Sequence, residues 1–273
     1  LLNKGASNPA ATALLAYLAV GLVAGFLAGL LGVGGGMVIV PALLYVFHLT
    51  GVAAEFQQHL ALGTSLATIM FTSVSSLKAH HARGAVLWPL LRTITPGILV
   101  GTFIGAQLAG QVSAVALKWF FVAFAYLIAV QMLLDLRPKA SRELPGKAGT
   151  GAVGGLIGLL SSWVGIGGGS LSVPFMTLCN VPVRQAIGTS AAIGFPLALA
   201  GAVGFVVSGW GRPLPDGSFG FVYLPALAGI VLASFPMAKV GAAAAHRLPA
   251  ATLKKVFAAM LVLVASRMLA GLL

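Results

Sequence analysis

GVGGGMVIVP occupies residues 32–41, and GIGGGSLSVP occupies residues 165–174, 133 positions further along the chain. Each copy interrupts an apolar run with glycines and ends in a proline at the same offset. A glycine inside a helix costs about 1 kcal/mol relative to alanine, so three in succession end a helix. In a bilayer, broken backbone survives only where protein covers it or where it lines a cavity. Two matched breaks are typical of a transporter's binding site, and close helix packing through small residues is the alternative interpretation.

The composition around these segments is that of a membrane protein. Hydrophobic residues make up 59% and charged residues 7% of the 273 positions, which excludes an ordinary soluble domain. Apolar runs of about 20 residues, the length that crosses a hydrocarbon core of ~30 Å, recur throughout the chain. The net charge of +12 lies mainly in short loops beside these runs, so it indicates orientation in the membrane. We therefore predict an all-α polytopic membrane protein with the lipid bilayer as partner and no nucleic-acid partner.

Ten helical elements are expected from the apolar runs. The element 37–49 covers only ~20 Å at 1.5 Å per residue, so it is predicted to be a half-helix, crossing or re-entrant. The polar segment 55–59 is predicted to be a loop. Residues 1–9 lack the charged-then-apolar pattern of a cleaved signal, so the first element is expected to be a true membrane helix. The predicted elements are 10–31, 37–49, 60–77, 86–109, 115–136, 148–164, 171–178, 186–208, 221–245 and 252–272.

The duplication extends beyond the glycine segments. Gly63-Thr64-Ser65 matches Gly188-Thr189-Ser190, and three further blocks in each half agree in the same order. These matches divide the chain into a first membrane repeat at 10–136, a cytoplasmic linker at 137–147 and a second membrane repeat at 148–273.

Each repeat holds about five elements, and an odd number places the two copies upside down relative to each other. Basic residues then divide ten to three between the two sides of the membrane, against eight to five if each repeat crossed four times. Because basic loops stay in the cytoplasm, the first division is preferred. We predict two inverted repeats whose Gly-broken half-helices meet near the midplane, with both termini outside the cytoplasm.

An anion suits the predicted site better than a cation. No carboxylate lies in the middle of a span, and buried acids are what membrane proton relays and many cation sites use. The first N–H groups of a helix are unpaired and carry partial positive charge, and glycine lets a ligand approach them. The hydroxyls of the two Gly-Thr-Ser blocks are further donors, although Ser and Thr in membrane helices also bond their own backbone. The predicted substrate-binding residues are Gly34, Gly35, Gly36, Gly63, Thr64, Ser65, Gly167, Gly168, Gly169, Ser170, Gly188, Thr189 and Ser190.

Four basic side chains are candidates for the rim of the site or the pathway to it: His59, Arg184, Lys239 and Arg92. For Arg92 and Lys239, a side chain that reaches the membrane surface is the alternative interpretation. No catalytic group, metal site or cofactor is predicted.

The two Gly-rich segments ending in Val-Pro, each followed by an Ala-x-Gly-Thr-Ser block, resemble the sulfite exporter TauE/SafE family of permeases. This resemblance implies a multi-pass carrier in the bacterial inner membrane for sulfite or organosulfonates such as sulfoacetate. Export by alternating access is the expected mode. An importer of thiosulfate or another anion is an alternative, and an intramembrane enzyme or structural subunit is an alternative of another class.

Overall fold

The computed structural model describes residues 9–31, 35–134, 143–244 and 250–272. These residues form ten α-helices and one short β-hairpin, which confirms the all-α fold class. We call α1–α5 the first half and α6–α10 the second half. The helices are α1 Pro9–Leu31, α2 Gly36–Leu49, α3 Ala54–His81, α4 Trp88–Ala109, α5 Ala114–Leu133, α6 Lys147–Val164, α7 Gly169–Leu178, α8 Val183–Gly209, α9 Leu224–Ala244 and α10 Ala250–Ala270, and the hairpin pairs β1 Ser218–Phe219 with β2 Val222–Tyr223.

Six of the described helices are long and apolar enough to cross a membrane, namely α1, α3, α4, α5, α8 and α9. The chain is therefore a multi-pass membrane protein. The helices that follow the glycine segments are much shorter, with 14 residues in α2 and 10 in α7. At 1.5 Å per residue they cover roughly 21 and 15 Å, which is less than the hydrocarbon thickness of ~30 Å.

The third helix begins earlier than predicted. The segment 55–59 is not a loop, because α3 starts at Ala54 and includes it. Its polar side chains bond the surrounding backbone: Gln57 Nε2 donates to Val52 O at 2.8 Å, and His59 Nδ1 lies 3.2 Å from Glu55 O. Polarity alone therefore misplaced the start of α3, which is the central helix, with 18 of its 28 residues buried.

The segment between α8 and α9 and the predicted linker 137–147 also need comment. The hairpin β1–β2 between α8 and α9 was not predicted: β1 begins at the end of the expected loop, and β2 occupies the start of the predicted helix 221–245, so α9 begins only at Leu224. Most of the predicted linker 137–147 lies outside the described residues, and Lys147 already begins α6.

Each half packs its first helix against the fourth helix of the other half. The helices α1 and α9 approach so closely that a side chain on Gly25 would overlap the backbone of Ser234. The helices α4 and α6 do the same, because a side chain on Gly101 would overlap the backbone of Gly155. Small residues allow such close backbone packing, which is the main source of helix association in membranes.

The third helices of the two halves, α3 and α8, cross in opposite directions. A Cβ on Gly63 would lie 3.0 Å from Cβ of Phe205, whereas a Cβ on Gly194 would lie 3.2 Å from Cβ of Ser73. Residue numbers thus rise along α3 as they fall along α8, so the two helices are antiparallel. Their crossing brings the middle of each half together.

Candidate functional site

In both glycine segments, the residue before the half-helix has a left-handed backbone conformation that favours glycine. Gly35 has φ of 72° and Gly168 has φ of 80°, and each is the residue before a half-helix, α2 or α7. The left-handed region costs an L-residue roughly 1–2 kcal/mol, because Cβ approaches the following carbonyl oxygen. The glycines therefore set the direction in which each half-helix leaves the break.

The two breaks touch each other. A Cβ on Gly36 would overlap Gly165 O and lie 3.0 Å from Cα of Ile166. Ser65 on α3 donates a hydrogen bond of 2.8 Å to the same carbonyl of Gly165. The structure thus brings the predicted residues Gly36 and Ser65 to the second break, whereas Gly34 lies outside the described residues.

A small cavity lies beside these breaks, where α3 crosses α8. Its volume is about 10 Å³, which is room for about one water molecule. Both halves contribute to it, through α1 and α3 on one side and the second break and α8 on the other. The cavity is lined by Ala28, Ile69, Thr72, Ser73, Ser76, Gly167, Ser190, Ala191 and Gly194.

Hydroxyl groups supply the polar side chains of this cavity. Thr72 and Ser73 donate to carbonyls of their own helix, at 3.3 and 3.1 Å. Ser190 accepts a hydrogen bond of 2.9 Å from Ser172 on α7, which leaves its own proton available to another acceptor. Ser76 is only 7% exposed, and its hydroxyl has no hydrogen-bond partner among the described residues.

The threonines of the two Gly-Thr-Ser blocks bond the backbone of the opposite half. Thr64 Oγ1 accepts from Tyr223 N at 2.9 Å, and Thr189 Oγ1 accepts from Leu87 N at 2.9 Å. Both partners stand at the start of a fourth helix, α9 or α4. These threonines therefore hold the two halves together, and among the residues of the two blocks only Ser190 lines the cavity.

The glycines of the same blocks serve close packing. A side chain on Gly63 would overlap Phe221 O, and one on Gly188 would overlap Ala85 O. Gly167 lines the cavity directly, and Gly168, Gly169 and Ser170 follow it into α7.

The four basic candidates are not gathered around the cavity. His59 was expected at a rim, but it is 4% exposed and stacks on Phe221 with ring centroids 4.9 Å apart. Its Nε2 lies 3.0 Å from Val112 O, in the turn between α4 and α5. Arg184 is exposed and donates to Arg83 O at 3.4 Å.

The remaining two, Lys239 and Arg92, have exposed side chains. The Lys239 ammonium lies 5.7 Å from the centre of the Phe235 ring. Within the described ranges, no group of three or more His, Cys, Asp or Glu side chains is placed to hold a metal ion.

Thr72, Ser73 and Ser76 line the cavity but were absent from the predicted site. Their signal in the sequence is the spacing Thr68, Thr72, Ser76, which puts one hydroxyl on the same face at each turn of α3. Membrane helices contain many such hydroxyls that bond their own backbone, as Thr68 does to Thr64 O at 2.9 Å. The spacing therefore becomes informative only when the packing partner of that face is known.

Comparison with known proteins gives a consistent result. Residues 17–268 match the family described as sulfite exporter TauE/SafE. A protein of Haemophilus influenzae named probable membrane transporter protein is 41% identical over 94% of this chain and 98% of its own length. The probable membrane transporter protein YunE of Bacillus subtilis is 31% identical over 69% of this chain and 77% of its own length. No solved structure matches.

Proposed function

Because this chain belongs to the sulfite exporter TauE/SafE family, we propose that it carries small sulfur-containing anions, sulfite or organosulfonates such as sulfoacetate, out of the bacterial cell. The family and its named relatives make the chain a membrane transporter rather than an enzyme. The proposed location is the inner membrane, with the start of α1 and the end of α10 on the outer side.

The observation that carries this proposal is the cavity at the crossing of α3 and α8. It lies between the two halves, next to the contact of the two glycine breaks at Gly36 and Gly165. A site at the interface of two repeats is where transporters of this kind hold their substrate, because a rocking motion of one half then exposes it to either side. In the present arrangement the cavity is too small for an oxyanion, so transport requires the α3–α8 contact to widen.

An inverted relation between the halves is part of the proposal. It is supported by the antiparallel crossing of α3 and α8. It is also supported by the packing of the first helix of each half against the fourth helix of the other. It is also supported by the paired bonds of Thr64 to Tyr223 and of Thr189 to Leu87, which are the same contact with the halves exchanged.

Export of an anion needs no coupling group in the site. A membrane potential that is negative inside drives an anion outward by ~2.3 kcal/mol per charge per 100 mV. In agreement with this, none of the described residues that line the cavity carries a charge.

Flux into proteoliposomes tests the proposal. The purified protein is reconstituted, and uptake of radiolabelled sulfite, sulfoacetate, methanesulfonate, thiosulfate and sulfate is measured under an imposed potential, with protein-free vesicles subtracted. We expect electrogenic flux of at least one sulfite or sulfonate substrate. Flux of thiosulfate alone would favour an importer of that anion, and an absence of flux for the whole panel would refute an anion carrier of this class.

A further inference from the structure

The cavity at the α3–α8 crossing lacks a charged side chain that could neutralise a bound anion. Its described lining residues are aliphatic, glycine, serine or threonine. The charged and titratable residues of the neighbouring elements lie elsewhere: Lys78 and Arg184 are exposed, and neither they nor His80 line the cavity. Among the described residues, positive charge at the cavity is therefore available only from the backbone.

The N terminus of α7 supplies such a charge. Gly167 lines the cavity, and the first hydrogen bond of the turn runs from Leu171 N to Gly168 O at 3.1 Å. The N–H groups of Gly169 and Ser170 precede that bond, so they belong to the unpaired first turn of a ten-residue helix. Such a terminus corresponds to roughly half a positive charge. The N terminus of α2 contacts the same break, because Gly36 touches Gly165, two residues before Gly167, but no described residue of α2 lines the cavity itself.

A buried hydroxyl points to a ligand independently of the helix termini. Ser76 is 7% exposed, lines the cavity and has no hydrogen-bond partner among the described residues. An unpartnered buried polar group destabilises the protein, and this cost is offset when a ligand accepts its proton. The free proton of Ser190 lies in the same cavity.

The hydroxyl groups of the cavity are distributed unequally over the two equivalent helices, with three on α3 and one, that of Ser190, on α8. In the alignment that matches Gly63 with Gly188, the positions of Thr72, Ser73 and Ser76 fall on Leu197, Ala198 and Gly201. Most of the polar lining thus belongs to α3, and α8 adds only Ser190 to it. Uncharged hydroxyls and the partial charge of helix termini suit one small anion of low charge.

We propose that this site, once the α3–α8 contact has widened, selects a singly charged oxyanion, hydrogen sulfite or a sulfonate, and that the Ser76 hydroxyl donates a hydrogen bond to it. The inference rests on the proposed function and adds the charge state of the substrate. Two helix termini together match about one negative charge. The cost of removing an ion from water rises with the square of its charge, about fourfold for a dianion, and nothing in the cavity compensates the second charge.

The first test compares three substrates in proteoliposomes across neutral pH. Methanesulfonate is a monoanion at every pH used, sulfate is a dianion, and sulfite changes from one form to the other. We expect sulfate not to be carried, methanesulfonate flux to stay constant, and sulfite flux to fall about tenfold per pH unit above the second pKa of the acid. The constant methanesulfonate flux controls for any effect of pH on the protein itself.

Sulfite flux that rises with pH, or sulfate carried as well as methanesulfonate, would overturn the charge selection while leaving an anion carrier intact. An absence of flux for all three substrates would instead refute the proposed function, so the two failures are distinguishable.

The second test assigns the donor. Ser76→Ala is compared with Ser75→Ala, a buried serine of the same helix that also lacks a partner but does not line the cavity. Loss of a hydrogen bond to a charged acceptor should raise the half-saturating methanesulfonate concentration roughly 10- to 100-fold in Ser76→Ala. Ser75→Ala should match the wild type, and equal elution from a sizing column checks that both variants fold. Wild-type affinity in Ser76→Ala would refute the assignment.

Discussion

At the scale of single residues, two of the glycines with a left-handed backbone, Gly35 and Gly51, differ in how much room surrounds them. A Cβ on Gly35 would lie 2.7 Å from Ala24 O, which is backbone and cannot turn away. A Cβ on Gly51, with a similar φ of 74°, would meet nothing within 4 Å. We predict that Gly51→Ala lowers the free energy of unfolding by roughly 1–2 kcal/mol, which is the cost of the left-handed conformation alone. Gly35→Ala should lower the free energy of unfolding by about 1–3 kcal/mol more, because the added methyl group overpacks against α1.

Thermal unfolding in detergent measures this difference, with Gly51→Ala as the control for the left-handed conformation itself. Equal melting temperatures for the two variants would show that α1 does not press on the first break.

The two cross-half threonines provide another residue-scale prediction. Thr64→Val and Thr189→Val each leave a half-buried backbone N–H without its acceptor, at Tyr223 or Leu87, so each should lower stability by about 1 kcal/mol. Thr68→Val is the matched control, because Thr68 is equally buried but bonds only a carbonyl of its own helix. The melting temperature in detergent checks all three. Loss in Thr68→Val equal to that in Thr64→Val would contradict the role of the cross-half bonds.

At the scale of helices, the α4–α6 contact is sterically one-sided. A Cβ on Gly101 would lie 2.6 Å from Cα of Gly155, whereas a Cβ on Gly155 would meet only Gly97 O, at 3.6 Å. We predict that Gly101→Ala separates the helices and lowers the melting temperature. Gly155→Ala should be neutral or stabilising by up to ~1 kcal/mol, because alanine favours the helix. Similar destabilisation by both changes would contradict this asymmetric contact between α4 and α6.

The helices also show what sequence alone could predict. Apolar runs placed all ten helices, because membrane helices must satisfy their own backbone and are long and apolar. The start of α3 was misplaced because Gln57 and His59 are polar yet bond backbone inside the protein. The predicted residues Gly167 and Ser190 line the cavity, but its hydroxyls on α3 escaped prediction for a related reason. The hydroxyls of Thr72 and Ser76 matter only because α8 crosses α3 at that level, and a contact between residues so far apart in sequence leaves no local pattern.

At the scale of the whole molecule, the inverted relation predicts opposite exposure of matched loops. Arg83 follows α3 and Asp216 follows α8, and both side chains are exposed. In a Cys179→Ser background, we expect Asp216→Cys in intact spheroplasts to react with a membrane-impermeant maleimide. Arg83→Cys should react only after the membrane is permeabilised. Reaction of both from the same side would exclude inverted repeats.

The packing of the first helix of each half against the fourth helix of the other has a consequence for biosynthesis. Since α4 meets α6 soon after the ribosome makes it, that pair assembles early, but α1 must wait until α9, some 200 residues later, has been inserted. During translation α1 stays in the lipid without its partner, exposed to chaperones and quality-control proteases. Splitting the gene at a codon between 135 and 142 should therefore yield two polypeptides. Each should be degraded when made alone, and both should accumulate when they are co-expressed.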